Sequence, residues 1–233
     1  FLPSRLMPNP FDLSSTTEYL HWRERKLAHA ITDTNELIVE IRNLHALTAT
    51  EHGALLDRCR RSNMVIYATR AENIEENAIR NLGQQFGLNR LDANWLAGEQ
   101  GITRITVCAG DGLRQAYIPY TDRAIKWHTD GYYNPPERQV KSMILHCSQS
   151  AGKGGENRLM DHEIAYLMLR DADSDFIRAL SAPDAMTIPE RIDEQGIARP
   201  TQAGPIFSID PASGTLHMRY TARTRSIVWK QDA

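Results

Sequence analysis

Cysteine is scarce in this 233-residue chain, which contains only Cys59, Cys108 and Cys147. The three are far apart and odd in number, so the sequence has neither a C-x-x-C pair nor a disulfide framework. We therefore expect buried, reduced cysteines in a cytoplasmic protein.

The chain also lacks a long apolar run and an excess of charge of either sign. No apolar stretch approaches the length of a membrane span, and 27 basic against 29 acidic side chains give a net charge of −2. We therefore expect neither a membrane nor a nucleic acid as partner. Residues 1–5 lack the charged and apolar regions of a signal peptide. The first residue is Phe1 rather than Met, from which we expect the sequence to start inside a longer chain.

What is present is the composition of an ordinary globular protein, with 41% apolar and 24% charged residues. We predict one domain over residues 1–233, in which residues 1–36 form an extended lead-in and a helix. Capping boxes open predicted helices at Ser15 and Thr48, and Asp161 can cap another. The predicted helices cover residues 15–30, 48–61, 72–86, 92–98, a segment starting at 161, and 173–180.

From Ile102 onward the pattern changes to short apolar or alternating segments separated by turn residues. Such a series predicts an all-β sandwich or barrel. We predict a mainly β protein of the α+β class, in which a jelly roll is flanked by helices, although strand number alone does not select it over other sandwiches. The predicted strands are 37–44, 64–68, 102–108, 114–119, 124–128, 139–147, 156–160, 185–188, 205–210, 215–220 and 225–229.

The segment from Ile125 to Tyr133 carries the most informative chemistry in the chain. His128 and Asp130 lie two positions apart after a run with strand character. Because residues two apart in a strand point to one face, the imidazole and the carboxylate can converge on one point. Together they make two thirds of the 2-His-1-carboxylate triad that holds non-haem Fe(II). A solvated pair in a loop is the alternative.

This segment resembles the W-H-T-D-x stretch of the TauD/TfdA family of Fe(II)/2-oxoglutarate dioxygenases. The turn Gly154-Gly155-Glu156-Asn157 resembles the G-G-[DE]-T element of the same family. The resemblance covers most of the chain from about Leu37 onward. It implies a cupin-like double-stranded β-helix, with Fe(II), 2-oxoglutarate and O2 used to hydroxylate a small molecule, releasing succinate and CO2.

The resemblance also implies roles for particular residues. His128 and Asp130 become metal ligands and catalytic residues. Asn157 takes the position of a threonine whose hydroxyl binds the cosubstrate, and its amide can donate the same hydrogen bond. The alternative for Asn157 is a residue that only stabilises the turn.

Several histidines are candidates for the third metal ligand. We expect His146 to lie on a strand face and His162, at a helix start, to be exposed. Residues 219–225 resemble the R-Y-x-x-R stretch that precedes the distal histidine in relatives of γ-butyrobetaine dioxygenase. This resemblance puts the third ligand and the cosubstrate arginine beyond Ala233, so that the C-terminal part of the domain would be missing. The second choice is His217, with Arg225 as the arginine that follows it.

Tyr120, Tyr132 and Tyr133 cluster around the motif and are candidate substrate-binding residues. Aromatic faces can hold a quaternary ammonium group, and γ-butyrobetaine dioxygenase uses such a cage. The alternative is that these tyrosines pack a sheet. Sulfonates, betaines and small acids all remain possible substrates, and a homo-oligomer is compatible with the resemblance.

Two other classes of function remain open at this point. One is a non-catalytic, oxygenase-like or cupin-like binding protein whose metal site has decayed. The other is a zinc hydrolase that uses His128 and Asp130 and works without oxygen or 2-oxoglutarate.

Overall fold

The structure is a computed structural model that describes residues 9–91, 101–107, 117–193, 196–223 and 227–231. The predicted helix at 92–98, the first half of the predicted strand at 114–119, Cys108 and Arg225 lie outside these ranges. None of the helices within them is long and apolar enough to cross a membrane.

The helices form where local capping chemistry favours them. At the start of the second helix, Thr48 Oγ1 accepts from the Glu51 amide (3.2 Å), and Glu51 accepts from the Thr48 amide (2.7 Å). Asp161 caps the fourth helix by accepting from the Glu163 amide at 2.9 Å. Ser15 makes no capping bond, so the box predicted there is wrong. The helices are α1 (Thr16–His29), α2 (Ala49–Ser62), α3 (Glu76–Gln84), α4 (His162–Ala172) and α5 (Ser174–Leu180).

The strands are short and belong to four small sheets. A parallel pair joins β1 to β2, an antiparallel sheet has the order β6-β3-β9, and two antiparallel pairs join β4 to β5 and β7 to β8. The strands are β1 (Ile38–Glu40), β2 (Ile66–Ala68), β3 (Met186–Ile188), β4 (Arg191–Asp193), β5 (Gly196–Arg199), β6 (Gln202–Gly204), β7 (Phe207–Ile209), β8 (Leu216–Met218) and β9 (Val228–Trp229).

The described residues contain both helices and several strands, and they do not by themselves confirm a mainly β protein, because more of them lie in helices than in strands. These residues also form no closed barrel. The segments 102–107, 139–147 and 156–160, which the sequence predicts to be strands, do not form strands in the structure. Their apolar side chains face solvent, with Val107 67%, Met143 58% and Leu159 62% exposed. Alternation alone cannot make a strand, because the backbone needs a neighbouring strand to bond.

Two of the cysteines also differ from expectation. Cys59 and Cys147 are free, as predicted, but both are exposed rather than buried. Cys59 lies on α2, and Cys147 ends the segment that was predicted to be a strand.

Two apolar cores organise the chain. The first packs α2 and α3 against the parallel pair β1–β2, around Val39, Leu55 and Leu82. The second packs α1, α4 and α5 against β3, β7 and β8, and its most enclosed side chains include Tyr166, Met186 and Phe207. This second core supports the strands next to the candidate site.

A buried ion cluster ties α1 to α2 and α4. Lys26 of α1 lies 2.6 Å from both Asp161 and Glu163 at the start of α4, and its ammonium donates to the Arg61 carbonyl at 3.0 Å. The Lys26 side chain is 5% exposed. Two carboxylates and a carbonyl therefore replace the water that this ammonium group loses on folding.

We expect Lys26→Met to lower the free energy of unfolding by about 3 kcal/mol, because it leaves two largely buried carboxylates without their cation. Denaturant unfolding measures this change. Arg25→Met, at the exposed neighbouring position of α1, is the matched control and should change stability by less than about 0.5 kcal/mol. Equal effects of the two substitutions would contradict the proposed contribution of the cluster.

Candidate metal centre

The predicted motif lies in a short antiparallel pairing of residues 127–129 with residues 220–222. His128 is bridged to Thr221. The Thr129 amide donates to the Tyr220 carbonyl (2.9 Å), and the Ala222 amide donates to the Trp127 carbonyl (2.8 Å). His128 and Thr221 thus form a non-hydrogen-bonded pair, the kind in which facing side chains come closest. The strand predicted at 124–128 is reduced to this single bridge.

His128 and Asp130 meet as the two-residue spacing predicts. His128 Nε2 lies 3.4 Å from Asp130 Oδ1, and both side chains are partly exposed. His128 Nδ1 lies 2.8 Å from the Lys126 carbonyl oxygen. A carbonyl oxygen can only accept, so Nδ1 carries the proton. In the neutral imidazole, the lone pair of Nε2 therefore faces the carboxylate.

Two lone pairs that face each other need a cation between them. In the metal-free protein, the hydrogen bond to the Asp130 carboxylate raises the pKa of His128 above its ordinary value, so the imidazole holds a second proton more readily than a free histidine does. The bond to the Lys126 carbonyl adds to this rise, whereas burial and the nearby Arg223 guanidinium oppose it.

The same geometry suits a divalent metal ion. Bonds of about 2.1 Å to nitrogen and oxygen can span donors up to roughly 4.2 Å apart, so the 3.4 Å separation allows both atoms to reach one ion. A histidine ligand whose second nitrogen donates to a backbone carbonyl is the usual arrangement at metal sites. Within the described residues, no third His, Cys, Asp or Glu joins this pair to form a three-ligand group.

Gly131 makes the turn that follows the pair. Its φ is +66°, a value that glycine adopts without strain. A Cβ at this position would lie 2.6 Å from Val140 Cγ2 and 2.9 Å from Asn134 Nδ2. The glycine of the H-x-D-G sequence is therefore required by both backbone conformation and space.

Arg219 fixes this turn to the neighbouring sheet. Its guanidinium donates to the carbonyls of Tyr132 (2.7 Å), Met186 (3.0 Å), Gln202 (2.9 Å) and Gly204 (3.2 Å). The residue is 8% exposed, and burial lowers its pKa below the ordinary value. The four carbonyls come from the turn, β3 and β6, so one side chain sets the position of the metal motif.

The structure does not bring the other candidate ligands to the pair. His217 lies in β8, where burial, helped by the nearby His162 and Lys141, lowers its pKa. His162 begins α4 and is partly buried, with Nε2 bonded to the Leu216 carbonyl at 3.1 Å. His146 Nδ1 pairs with the Tyr67 hydroxyl at 2.9 Å, and the two rings are stacked.

Asn157 follows the turn made by Gly154 and Gly155, both of which have positive φ. It is exposed, and within the described residues no hydrogen bond joins it to His128 or Asp130. The predicted glycine turn before Asn157 is therefore confirmed, and the cosubstrate role of Asn157 stays a prediction.

The three tyrosines differ in their surroundings. Tyr120 is 3% exposed, in a single turn of 3-10 helix, so its ring offers little surface to a ligand. Tyr132 and Tyr133 pack edge to face, with ring centroids 5.2 Å apart. Arginines approach both residues: Arg223 Nη1 lies 3.4 Å from the Tyr132 hydroxyl, and Arg199 Cζ lies 5.7 Å from the centroid of the Tyr133 ring.

The sequence pattern at residues 219–225 did not predict that Arg219 and Arg223 both contact Tyr132, in the turn after the metal pair. The R-Y-x-x-R spacing was the available signal. It did not reveal that this stretch pairs with the metal motif, because that contact joins residues about 90 positions apart.

Comparison with known proteins agrees with the motif. The model of the family "Taurine catabolism dioxygenase TauD, TfdA family" matches residues 37–232. The chain belongs to this family. A uridine-5'-phosphate dioxygenase of Amycolatopsis sp. is 34% identical over 95 residues, which are 41% of this chain and 33% of that protein. The match thus spans about a third of that protein's length. No solved structure matches the chain significantly.

We expect Arg219→Leu to lower the free energy of unfolding by roughly 3 kcal/mol or more, because four carbonyls lose a charged donor. Arg219→Lys should recover only part of this, since an ammonium group cannot reproduce the planar fork. Denaturant unfolding measures both variants, with exposed Arg178→Leu as control. If Arg219→Leu behaves like the control, the guanidinium does not hold the turn.

We expect His128 to titrate above 6.5 in metal-free protein, and Asp130→Asn to lower that pKa. Because the folded-state pKa is raised, the pair's contribution to stability is complete below about 6.5 and is lost as pH rises through the folded-state value. A metal competes with this proton, so metal affinity should weaken as pH falls through the same pKa. NMR titration of the imidazole resonances measures it; an unchanged value in Asp130→Asn would contradict the assignment.

Proposed function

We propose that this protein is an Fe(II)- and 2-oxoglutarate-dependent dioxygenase that hydroxylates a small molecule. The observation that carries the proposal is the convergence of His128 Nε2 and Asp130 Oδ1, with Nδ1 held by a backbone carbonyl. Membership of the TauD/TfdA family supports it. The same membership supports a jelly-roll architecture for the whole domain.

The residues divide the work as follows. His128 and Asp130 hold the metal, and the Lys126 carbonyl keeps the imidazole in the tautomer that presents Nε2. Arg219 and Gly131 keep the turn after Asp130 in place. The third protein ligand is not assigned by the described residues, in which no third His, Cys, Asp or Glu joins the pair. Asn157 binds the cosubstrate from the turn that follows Gly155.

When bound, Fe(II) and 2-oxoglutarate would supply the activation of O2: one oxygen atom would enter succinate as the cosubstrate loses CO2, and the other would enter the substrate as a hydroxyl group. The similarity to a uridine-5'-phosphate dioxygenase supports a nucleoside monophosphate as a candidate substrate.

Anaerobic addition of Fe(II) and 2-oxoglutarate should produce the visible charge-transfer absorption of a chelated cosubstrate. His128→Ala should abolish this band, because it removes one of the ligands that hold the metal. His21→Ala, an exposed histidine on α1, is the matched control and should retain the band.

Two results would contradict the proposal. A band that survives in His128→Ala would move the metal site elsewhere. Absence of the band in the wild-type protein would favour a non-catalytic binding protein, unless Zn(II) alone supports hydrolysis, which would favour the hydrolase.

A further inference from the structure

The segment that pairs with the metal motif is followed directly by a positively charged side chain, that of Arg223. Arg223 lies two positions after Thr221, the partner of His128, which makes it a diagonal neighbour of His128 across the pairing. Diagonal neighbours are about 7–8 Å apart between backbones, within reach of a long side chain.

Most of the N–H donors of the Arg223 guanidinium are available to a ligand, whereas those of Arg219, four residues earlier, bond four backbone carbonyls. The Arg223 side chain is exposed, and no carboxylate in the described part of the chain forms an ion pair with it. Its guanidinium makes one long hydrogen bond, 3.4 Å to the Tyr132 hydroxyl. A guanidinium carries five donors in a planar fork that matches a phosphate or carboxylate.

The neighbouring aromatic residues favour an anion over a cation. Tyr132 is in contact with the Arg223 guanidinium, and the Arg199 guanidinium lies over the Tyr133 ring. A quaternary ammonium group at these rings would be repelled by both guanidinium groups, and the Arg199 guanidinium already lies over the Tyr133 ring. The cage expected from the sequence is therefore unsuited to a betaine.

We infer that Arg223 is a specificity-determining residue that binds an anionic group of the substrate, a phosphate in the candidate named above, beside the metal pair. Tyr132 orients its guanidinium. The inference rests on the proposed function for the presence of a substrate at this site, but its test needs no turnover.

The experiment is equilibrium binding of uridine 5'-phosphate and of uridine, measured by calorimetry in anaerobic solution with and without Fe(II) and 2-oxoglutarate. The wild-type protein should bind the phosphate form about tenfold or more tightly than the nucleoside. Arg223→Ala should weaken binding of the phosphate form about tenfold and leave uridine unchanged, and Arg223→Lys should restore part of the loss.

Arg178→Ala is the control, because this exposed arginine lies on α5 away from the pair. It should bind both ligands as the wild type does. Tyr132→Phe removes only the hydroxyl that contacts Arg223, so a few-fold loss confined to the phosphate form is expected. This second variant tests the idea even if Arg223→Ala fails to fold.

Three results would overturn the inference. The first is equal wild-type affinity for the phosphate form and the nucleoside. The second is unchanged binding of the phosphate form in Arg223→Ala. The third is a loss confined to 2-oxoglutarate binding, which would assign Arg223 to the cosubstrate. A loss confined to the phosphate form, in a protein without the charge-transfer band, would support the role of Arg223 while rejecting the dioxygenase.

Discussion

The buried guanidinium of Arg219 is the interaction on which the candidate site depends. Removing a charge from water is costly unless polar groups replace the lost solvation, and here four backbone carbonyls do so. Those carbonyls belong to the turn after Asp130, to β3 and to β6. If one of these segments moved, the buried guanidinium would lose hydrogen bonds that water cannot replace. Gly204 lets the guanidinium approach, since a Cβ there would lie 3.1 Å from Nη1. Arg219 thus holds the turn that follows the metal pair against β3 and β6.

His128 and Asp130 were predictable because their convergence is local. A spacing of two residues sets the shared face, and the Lys126 carbonyl that holds Nδ1 is two residues away. The caps at Thr48 and Asp161 were predictable for the same reason, since each bond spans two or three residues. Where the atoms that decide a structure are close in sequence, the pattern contains them.

The capping box at Ser15 is a local prediction that is wrong, but the other main differences depend on long-range contacts. The segment 139–147 has strand character, but a strand exists only where another one bonds its backbone, and the sequence does not record partners. Arg219 and Arg223 look alike in the R-Y-x-x-R spacing. One is buried among carbonyls from distant segments, and the other is exposed beside Tyr132. Only long-range contacts distinguish the structural arginine from the one with free donors.

That difference also decides which substrates suit the site. Judged by composition alone, tyrosines near a metal motif are compatible with a cage for a cation. The cation–π attraction, however, depends on what else faces the ring. The Arg199 guanidinium lies over the Tyr133 ring, and the Arg223 guanidinium contacts the Tyr132 hydroxyl. The Asp130 carboxylate does not balance the charges of these arginines, because it pairs with the His128 imidazole or, in the proposed function, with a bound metal ion. In the role proposed for Arg223, the charge without a counter-ion beside the pair is positive, and an anionic group of the substrate would balance it.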